Sequence, residues 1–236
     1  MHRRRDTRII LLHITDGSPR DLTTARAAGF DSRESYAAAR RRELVAAVAE
    51  AGLNEQHLRN FAYIDQESHL HVREIIDRLI EVIDELQPDQ VFSPAYEGGH
   101  PDHDTAAFAV AVARGRCSRP FLHREYRLYH ARLESEGDGT MDTRDFLACP
   151  DSAIEQQVLS KEEQRRKQHM FAAFATQKEV LQAFHLYDER LRDAPSYDFR
   201  TAPHQGPLLY ERWGWAISGA EWRDCMHATD QLISVC

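Results

Sequence analysis

The densest group of chemically capable side chains lies in the short segment from Tyr96 to Asp104. It reads Y-E-G-G-H-P-D-H-D and holds two imidazoles, His100 and His103, together with carboxylates that include Asp102. Imidazole nitrogens and carboxylate oxygens bind zinc, and the same groups act as general acids and bases. The spacing therefore indicates a metal site with an adjacent acid–base pair. The alternative is a solvated loop that is rich in histidine.

The regular elements around this segment are those of an α/β protein. Periodicity and turn residues predict strands at residues 8–15, 58–65, 90–93 and 125–130, and helices at residues 31–51, 72–86, 105–113 and 160–183. Capping boxes of Asp31 with Glu34 and of Ser160 with Glu163 are predicted to open two of the helices. Such alternation is typical of a mostly parallel sheet covered by helices. The histidine segment then follows the carboxyl end of a strand, where open α/β folds bind ligands.

Composition and length narrow the class of protein. The chain has 236 residues, a net charge of −8 and 42% hydrophobic residues, which suits one soluble domain over residues 1–236. The excess of acidic residues argues against a nucleic-acid-binding protein, which would need a basic face. The apolar run at residues 9–12 is too short for a signal peptide or a membrane span, and the four scattered cysteines indicate reduced thiols. We therefore expect a cytoplasmic protein whose aromatic-rich residues 187–236 pack on the domain.

Several short segments, in order along the chain, carry a resemblance to a known family. They are Ile14-Thr15-Asp16-Gly17, Arg40 with Glu43, Asp65, Gly99-His100-Pro101-Asp102-His103, Thr176-Gln177, and the tail from Pro207 to Trp215. In these motifs the sequence resembles the PIG-L/LmbE-like deacetylases, which are zinc-dependent enzymes that remove N-acetyl groups from glucosamine-containing substrates. The resemblance implies a hydrolase with a Rossmann-like three-layer sandwich and a mostly parallel sheet.

The resemblance also implies roles for the residues of the histidine segment. His103 would be a zinc ligand, and His100 would act as a general acid and stabilise the oxyanion, oriented by Asp102. Zinc lowers the pKa of bound water to about 7, which provides a nucleophile at neutral pH. The implied partner is a small-molecule amino-sugar conjugate, and self-association into a homo-oligomer is a further expectation.

Three more residues are implied to bind the substrate: Arg40, Asp65 and Tyr96. The first two would lie near the sugar or its attached group. Related enzymes often carry an aromatic residue two positions before His100, where this chain has Gly98, and Tyr96 is the aromatic residue that could compensate. The alternative for Arg40 is a solvated charge within the arginine run at residues 40–42.

One motif of the family is absent from these 236 residues. Family members begin with a strand ending in A-H-P-D-D-E, which supplies a His ligand, an Asp ligand and the Asp general base, and this sequence lacks that first βα unit. A catalytic zinc ordinarily has three protein ligands, of which His103 is one. Three explanations stay open: a start upstream of Met1, a non-catalytic remnant that binds sugars or other partners, and ligands from another subunit.

A second class of enzyme is suggested by the dipeptide His103-Asp104, which is found in HD-type phosphohydrolases. In those enzymes the dipeptide sits on helices. Here it follows a predicted strand and a Gly-Gly turn, and this context disfavours the phosphohydrolase.

Overall fold

Strands and helices alternate along the chain, as the sequence predicts for an α/β protein. The computed structural model describes residues 7–134, 138–149 and 152–234. The chain divides into two units, the first comprising Met1–Asp65 with Gln157–Glu189 and the second Gln66–Gln156 with Arg190–Cys236. Each unit contains both helices and strands, so the predicted α/β class is confirmed.

The elements are numbered in chain order within the described residues. The strands are β1 (Leu11–Pro19), β2 (Leu58–Asp65), β3 (Gln90–Pro94), β4 (Leu122–Tyr126), β5 (His130–Ala131), β6 (Met141–Asp142), β7 (Ile154–Val158) and β8 (Asp188–Asp193). The α-helices are α1 (Thr23–Ala27), α2 (Arg33–Glu50), α3 (Val72–Leu86), α4 (Pro101–Arg114), α5 (Lys161–Ala172), α6 (Lys178–Leu181), α7 (Leu209–Arg212) and α8 (Gly219–Ser234). Short 3-10 helices are formed by Glu55–His57, Ser68–His71 and Ala175–Gln177.

The first unit is built on a parallel pair of strands, β1 and β2. Leu11 lies opposite Leu58 and Pro19 opposite Asp65, with register shifts between them. Strand β2 has the predicted bounds, whereas β1 starts three residues later than predicted and continues through the predicted turn. Gly17 takes a φ of +70°, a conformation that glycine adopts without strain, and the strand bends there instead of ending.

Helix α2 packs on β1 in the first unit. The side chain of Ser32 caps the helix because its Oγ accepts the backbone N–H of Ser35 at 3.1 Å. The cap is therefore Ser32 and not the predicted Asp31. The helix ends at Glu50, and Gly52 follows with a φ of +71°, as expected of a glycine just past a helix.

The late helix predicted at residues 160–183 is broken in the structure. Its start is confirmed, since Ser160 and Glu163 form a reciprocal capping box. Helix α5 then ends at Ala172, and short helical pieces follow. The backbone N–H and the hydroxyl of Thr176 donate to the carboxylate of Glu43 on α2, at 2.9 and 2.6 Å. These two bonds hold the chain in a turn against α2 and divert it from the helix axis.

The second unit has a helix-covered sheet. The apolar residues of α3 are buried as their spacing predicts: Val72, Ile75, Ile76, Leu79 and Ile83. The helix stops because Gln87 takes a left-handed φ of 47° directly before Pro88. Strand β3 pairs in parallel with β4, which lies at residues 122–126 and not at the predicted 125–130. Strand β8 pairs antiparallel with β4, and the sheet order is β3-β4-β8-β7.

Two further expectations concern membrane spans and cysteines. Of the helices in the described residues, none combines the length and the apolar character that crossing a bilayer requires. Cys117, Cys149 and Cys225 are free thiols, as predicted, and Cys236 lies outside the described residues.

Candidate active site

The H-P-D-H segment forms the start of helix α4. The helix begins at Pro101, four residues earlier than predicted, and His100 is its N-cap. Proline is well suited to this first position, because its φ is already helical and it has no N–H that needs a partner. The imidazole Nδ1 of His100 accepts the backbone N–H of Asp102 at 3.1 Å. Histidine is an unusual cap, and this is why the cap was missed in the sequence.

The loop between β3 and α4 is held by close contacts of two glycines. Gly98 has a φ of +68°, and its carbonyl oxygen accepts the backbone N–H of Leu209 at 2.9 Å. A Cβ on Gly99 would lie 2.0 Å from the carbonyl oxygen of Tyr129, a distance that no side chain could occupy. The Gly-Gly pair is therefore required by the close approach of two other segments of the second unit.

The carboxylate of Asp102 is buried and accepts three hydrogen bonds. Oδ1 accepts the hydroxyl and the backbone N–H of Ser68, at 2.6 and 3.2 Å, and Oδ2 accepts the N–H of Gln66 at 2.7 Å. Oδ2 is 3.9 Å from Nδ1 of His100, which exceeds a hydrogen bond. Asp102 contacts the ring of His100 through its backbone N–H. Because Nδ1 is the acceptor, the proton of the neutral ring lies on Nε2, which can donate to a developing oxyanion.

The two imidazoles are stacked and framed by aromatic rings. The ring centroids of His100 and His103 are 4.7 Å apart, at an interplanar angle of 27°. The ring of Trp215 meets His100 edge-on at 4.8 Å, and that of Tyr129 meets His103 at 5.2 Å. Trp213 lies next to both framing rings, 6.1 Å from Tyr129 and 5.3 Å from Trp215. Packing of the aromatic-rich residues 187–236 is predicted from the sequence, but their contact with the histidines is not.

The electrostatics of the site favour a neutral His103. Burial, and then the neighbouring His100, hold the pKa of His103 well below its ordinary value. The imidazole of His103 makes no hydrogen bond to any described residue. A neutral imidazole with uncommitted nitrogens is the form that binds a metal ion.

The predicted substrate residue Tyr96 lies in the core of the second unit. Its side chain is buried, and its hydroxyl donates to the carbonyl oxygen of Thr201 at 2.9 Å. Its ring stacks on Trp222 with 5.3 Å between centroids. Burial, followed by the charge of Asp104, raises the pKa of Tyr96.

Arg40 and Asp65, the other two predicted substrate residues, belong to the first unit. The guanidinium of Arg40 lies against the bend of β1, so that a Cβ on Gly17 would be 3.2 Å from its Nε and Nη2. It forms no hydrogen bond or ion pair with a described residue. Asp65 is the last residue of β2, and its Oδ1 accepts the hydroxyl of Thr15 at 3.4 Å.

A buried group of charges lies beside the histidine loop in the second unit. The carboxylate of Glu97 accepts the backbone N–H of Leu147, and its Oε1 is 3.9 Å from Nη2 of Arg192. Arg192 already donates its Nε–H to Glu125 at 3.0 Å. Burial raises the pKa of Glu97 to about 8, against the lowering effects of the Leu147 N–H and of Arg192.

Comparison with known proteins finds a family model for the first part of the chain. Residues 1–114 match PIG-L, described as GlcNAc-PI de-N-acetylase. The predicted resemblance to the PIG-L/LmbE-like deacetylases is confirmed. No curated protein matches the chain significantly.

Solved structures agree with the PIG-L match at the level of the fold. The A40926 pseudoaglycone deacetylase Dbv21 superposes with a TM-score of 0.56 and 20% identity, over 80% of this chain and 86% of that chain. A deacetylase of teicoplanin biosynthesis in its bog complex gives a TM-score of 0.61 and 14% identity, over 82% and 89%. The zinc-inhibited form of teicoplanin deacetylase Orf2 gives 0.58 and 13%, over 82% and 90%. The chain has the fold of deacetylase-type hydrolases.

The PIG-L match changes the reason for disfavouring a phosphohydrolase. His103 and Asp104 lie on helix α4, so the expected loop context does not distinguish the two enzyme classes. The match to PIG-L and the deacetylase fold now provide the distinction.

PIG-L deacetylases depend on a metal ion, and the second unit contains donors that fit one. His103 presents a neutral imidazole that makes no hydrogen bond to a described residue. His100 and Asp102 offer ligand atoms within 4.8 Å of each other. Nitrogen and carboxylate donors of this kind suit zinc.

Proposed function

We propose that the chain is a metal-dependent de-N-acetylase domain that hydrolyses the acetamide of an amino-sugar conjugate. The observation that carries the proposal is the pair of stacked imidazoles at the start of α4, within the residues that match PIG-L. The solved relatives are deacetylases of teicoplanin and A40926 pseudoaglycone, which supports a glycosylated small molecule as the substrate class.

In the proposed mechanism, His100 acts on the reacting amide. Its Nε2–H donates to the carbonyl oxygen as negative charge develops there. As general acid the ring passes this proton to the departing amine and recovers one from the attacking water, whose oxygen ends in the acid product. Asp102, fixed by Ser68 and Gln66, keeps the ring in this tautomer through its backbone N–H. His103 is the proposed zinc ligand. A bound zinc ion would polarise the amide carbonyl and lower the pKa of a water molecule to about 7.

The substrate-binding residues are proposed from their chemistry. Arg40 has donors that no described residue accepts, which suits a carbonyl or an anionic group of the substrate. Asp65 offers carboxylate oxygens that can accept hydroxyl groups of a sugar. A role for Tyr96, whose hydroxyl is already bonded to Thr201, stays a prediction.

A second candidate is a sugar-binding module that does not catalyse. It is supported by the absence of an H-P-D-D-E segment from these 236 residues, because that segment would supply two zinc ligands and the general base. We also propose that the fold is Rossmann-like and lacks the first βα unit of the family. Strands β1 and β3 support this, since within the described residues each pairs on one side only. A cytoplasmic location and self-association are retained as predictions.

Zinc binding and acetate release test the proposal together. Three proteins are titrated with zinc and assayed on N-acetylglucosamine conjugates: the full chain, His103→Ala and His227→Ala. His227→Ala is the control, because it changes an exposed histidine of α8. We expect the wild type and the control to bind zinc and release acetate, and His103→Ala to bind zinc at least about tenfold more weakly. Sugar binding without acetate release would establish the non-catalytic module. If the chain binds neither zinc nor the sugar conjugate, both candidates are overturned.

A further inference from the structure

The buried carboxylate of Asp104 has no role in the mechanism above. It lies in the first turn of α4 and is fully inaccessible to solvent. Its Oδ1 accepts two backbone N–H groups, from Glu97 at 3.2 Å and from Gly98 at 3.1 Å. Both donors belong to the loop that leads to His100. Asp104 therefore ties this loop to the helix that carries the two histidines.

The second oxygen of Asp104 adds no hydrogen bond within the described residues. Oδ2 is buried and has no hydrogen-bond partner among the described residues. An unsatisfied buried acceptor destabilises the folded state. An apolar residue of similar size would avoid that loss but would leave the N–H groups of Glu97 and Gly98 without this acceptor, so the contribution of Asp104 comes through Oδ1 and the loop. Departures of this kind from optimal local packing concentrate at functional sites.

The geometry of the loop explains why it needs such a tie. Gly98 and Gly99 have no side chains to restrict their backbone, and Gly98 has the left-handed φ of +68°. Leu209 fixes the carbonyl of Gly98 from outside, whereas Asp104 fixes the N–H of the same residue from the helix. Two residues later the chain reaches His100, whose ring must stay stacked on His103.

We propose that Asp104 is a positioning residue, which holds residues 97–100 so that the imidazole of His100 keeps its place over His103 with Nε2 as the donor nitrogen. Its effect on catalysis rests on the proposed deacetylase function. Its effect on the loop does not, because the two hydrogen bonds exist without substrate or metal.

The test compares Asp104→Leu, which removes the acceptor, with Asp104→Asn, which keeps an acceptor oxygen and replaces the acid group with an amide. Amide hydrogen exchange at Glu97 and Gly98 and the imidazole ¹⁵N shifts of His100 are measured in zinc-free full-length protein. We expect Asp104→Leu to exchange about tenfold or more faster at both amides and to lose the single Nε2–H tautomer. Asp104→Asn should stay close to the wild type in both measurements.

A matched control separates loop positioning from general damage to α4. Thr105→Val removes another buried polar contact of the helix, the 3.0 Å bond from Trp222 Nε1, and leaves the loop acceptor in place. It should leave exchange at residues 97 and 98 unchanged. If Asp104→Leu does not fold, Asp104→Ala is measured under the same prediction. Unchanged exchange in the acceptor-free variant, or exchange in Asp104→Asn as fast as in Asp104→Leu, would overturn the proposal.

Kinetics then separate this inference from the proposed function. If the wild type releases acetate, Asp104→Leu should lower kcat by about tenfold with little change in KM, and Asp104→Asn should restore it. A KM effect without a kcat effect would contradict positioning of His100. If the wild type releases no acetate, the proposed function fails, while the exchange and ¹⁵N measurements still decide the role of Asp104.

Discussion

The buried Glu97 makes the stability of the protein depend on pH in a direction that can be calculated. Burial raises its pKa from 4.5 to about 8, and the N–H of Leu147 and the charge of Arg192, 3.9 Å away and already bonded to Glu125, offset this rise only in part. Between these pH values the folded protein keeps a proton on Glu97 that the unfolded chain has released. The unfolded state then binds fewer protons, and the free energy of unfolding falls as pH rises from 4.5 to about 8.

The size of the effect follows from the displacement of the pKa. At about 1.4 kcal/mol for each pH unit, a change from 4.5 to about 8 corresponds to about 5 kcal/mol. Whole domains are stable by about 5–15 kcal/mol, so this loss is large. Glu97→Gln removes the ionisation and keeps an oxygen for the backbone N–H of Leu147. We expect the variant to gain about 4 kcal/mol of stability over the wild type between pH 5 and pH 8.5, because part of the total change has already occurred at pH 5.

Urea unfolding at pH 5 and pH 8.5 measures this gain. The control is Glu85→Gln, which changes an exposed glutamate on α3 and should follow the wild type at both pH values. If the difference between Glu97→Gln and the wild type changes by less than about 1 kcal/mol, the reasoning is refuted. A variant that becomes relatively less stable at pH 8.5 would show that Glu97 is ionised in the fold and paired with Arg192.

Two further predictions concern the turn at Thr176 and the glycine loop. Thr176→Val should lower the free energy of unfolding by about 1.5–3 kcal/mol, because the hydrogen bond from the hydroxyl to the carboxylate of Glu43 is lost. Urea titrations measure this change, and an unchanged free energy of unfolding would show that the bond contributes nothing. Gly99→Ala should destabilise by more than about 2 kcal/mol in thermal unfolding, since its Cβ would lie 2.0 Å from the carbonyl oxygen of Tyr129. Gly115→Ala is the control, with its nearest contact at 3.7 Å; equal effects of the two changes would contradict the packing of the loop.

Local patterns were sufficient for the parts of the fold that depend on local physics. The buried face of α3 follows from apolar residues three and four apart, and its end follows from Pro88. The bounds of β2 and the capping box at Ser160 are likewise encoded in adjacent residues. The candidate site could be found for the same reason, because His100 and His103 lie in one short segment.

Contacts between segments that are distant in the sequence account for the features that the sequence-based predictions missed. The break after α5 depends on Glu43, which is 133 residues before Thr176 and leaves no periodic signal near the helix. The rings that frame the histidines come from Trp215 and Tyr129, which no spacing rule connects to His100. Pairing of β8 with β4 also joins remote segments, and periodicity carries no information about strand partners.

The bond between the carbonyl oxygen of Gly98 and the backbone N–H of Leu209 has a consequence for synthesis on the ribosome. The two residues are roughly 110 positions apart, so the loop before His100 emerges long before its fastening segment exists. At about 5–20 residues per second, that interval is about 5–20 s. During this time the histidine loop lacks the partner that Leu209 supplies in the finished fold. Completion of the histidine loop is therefore a late event in the synthesis of the chain.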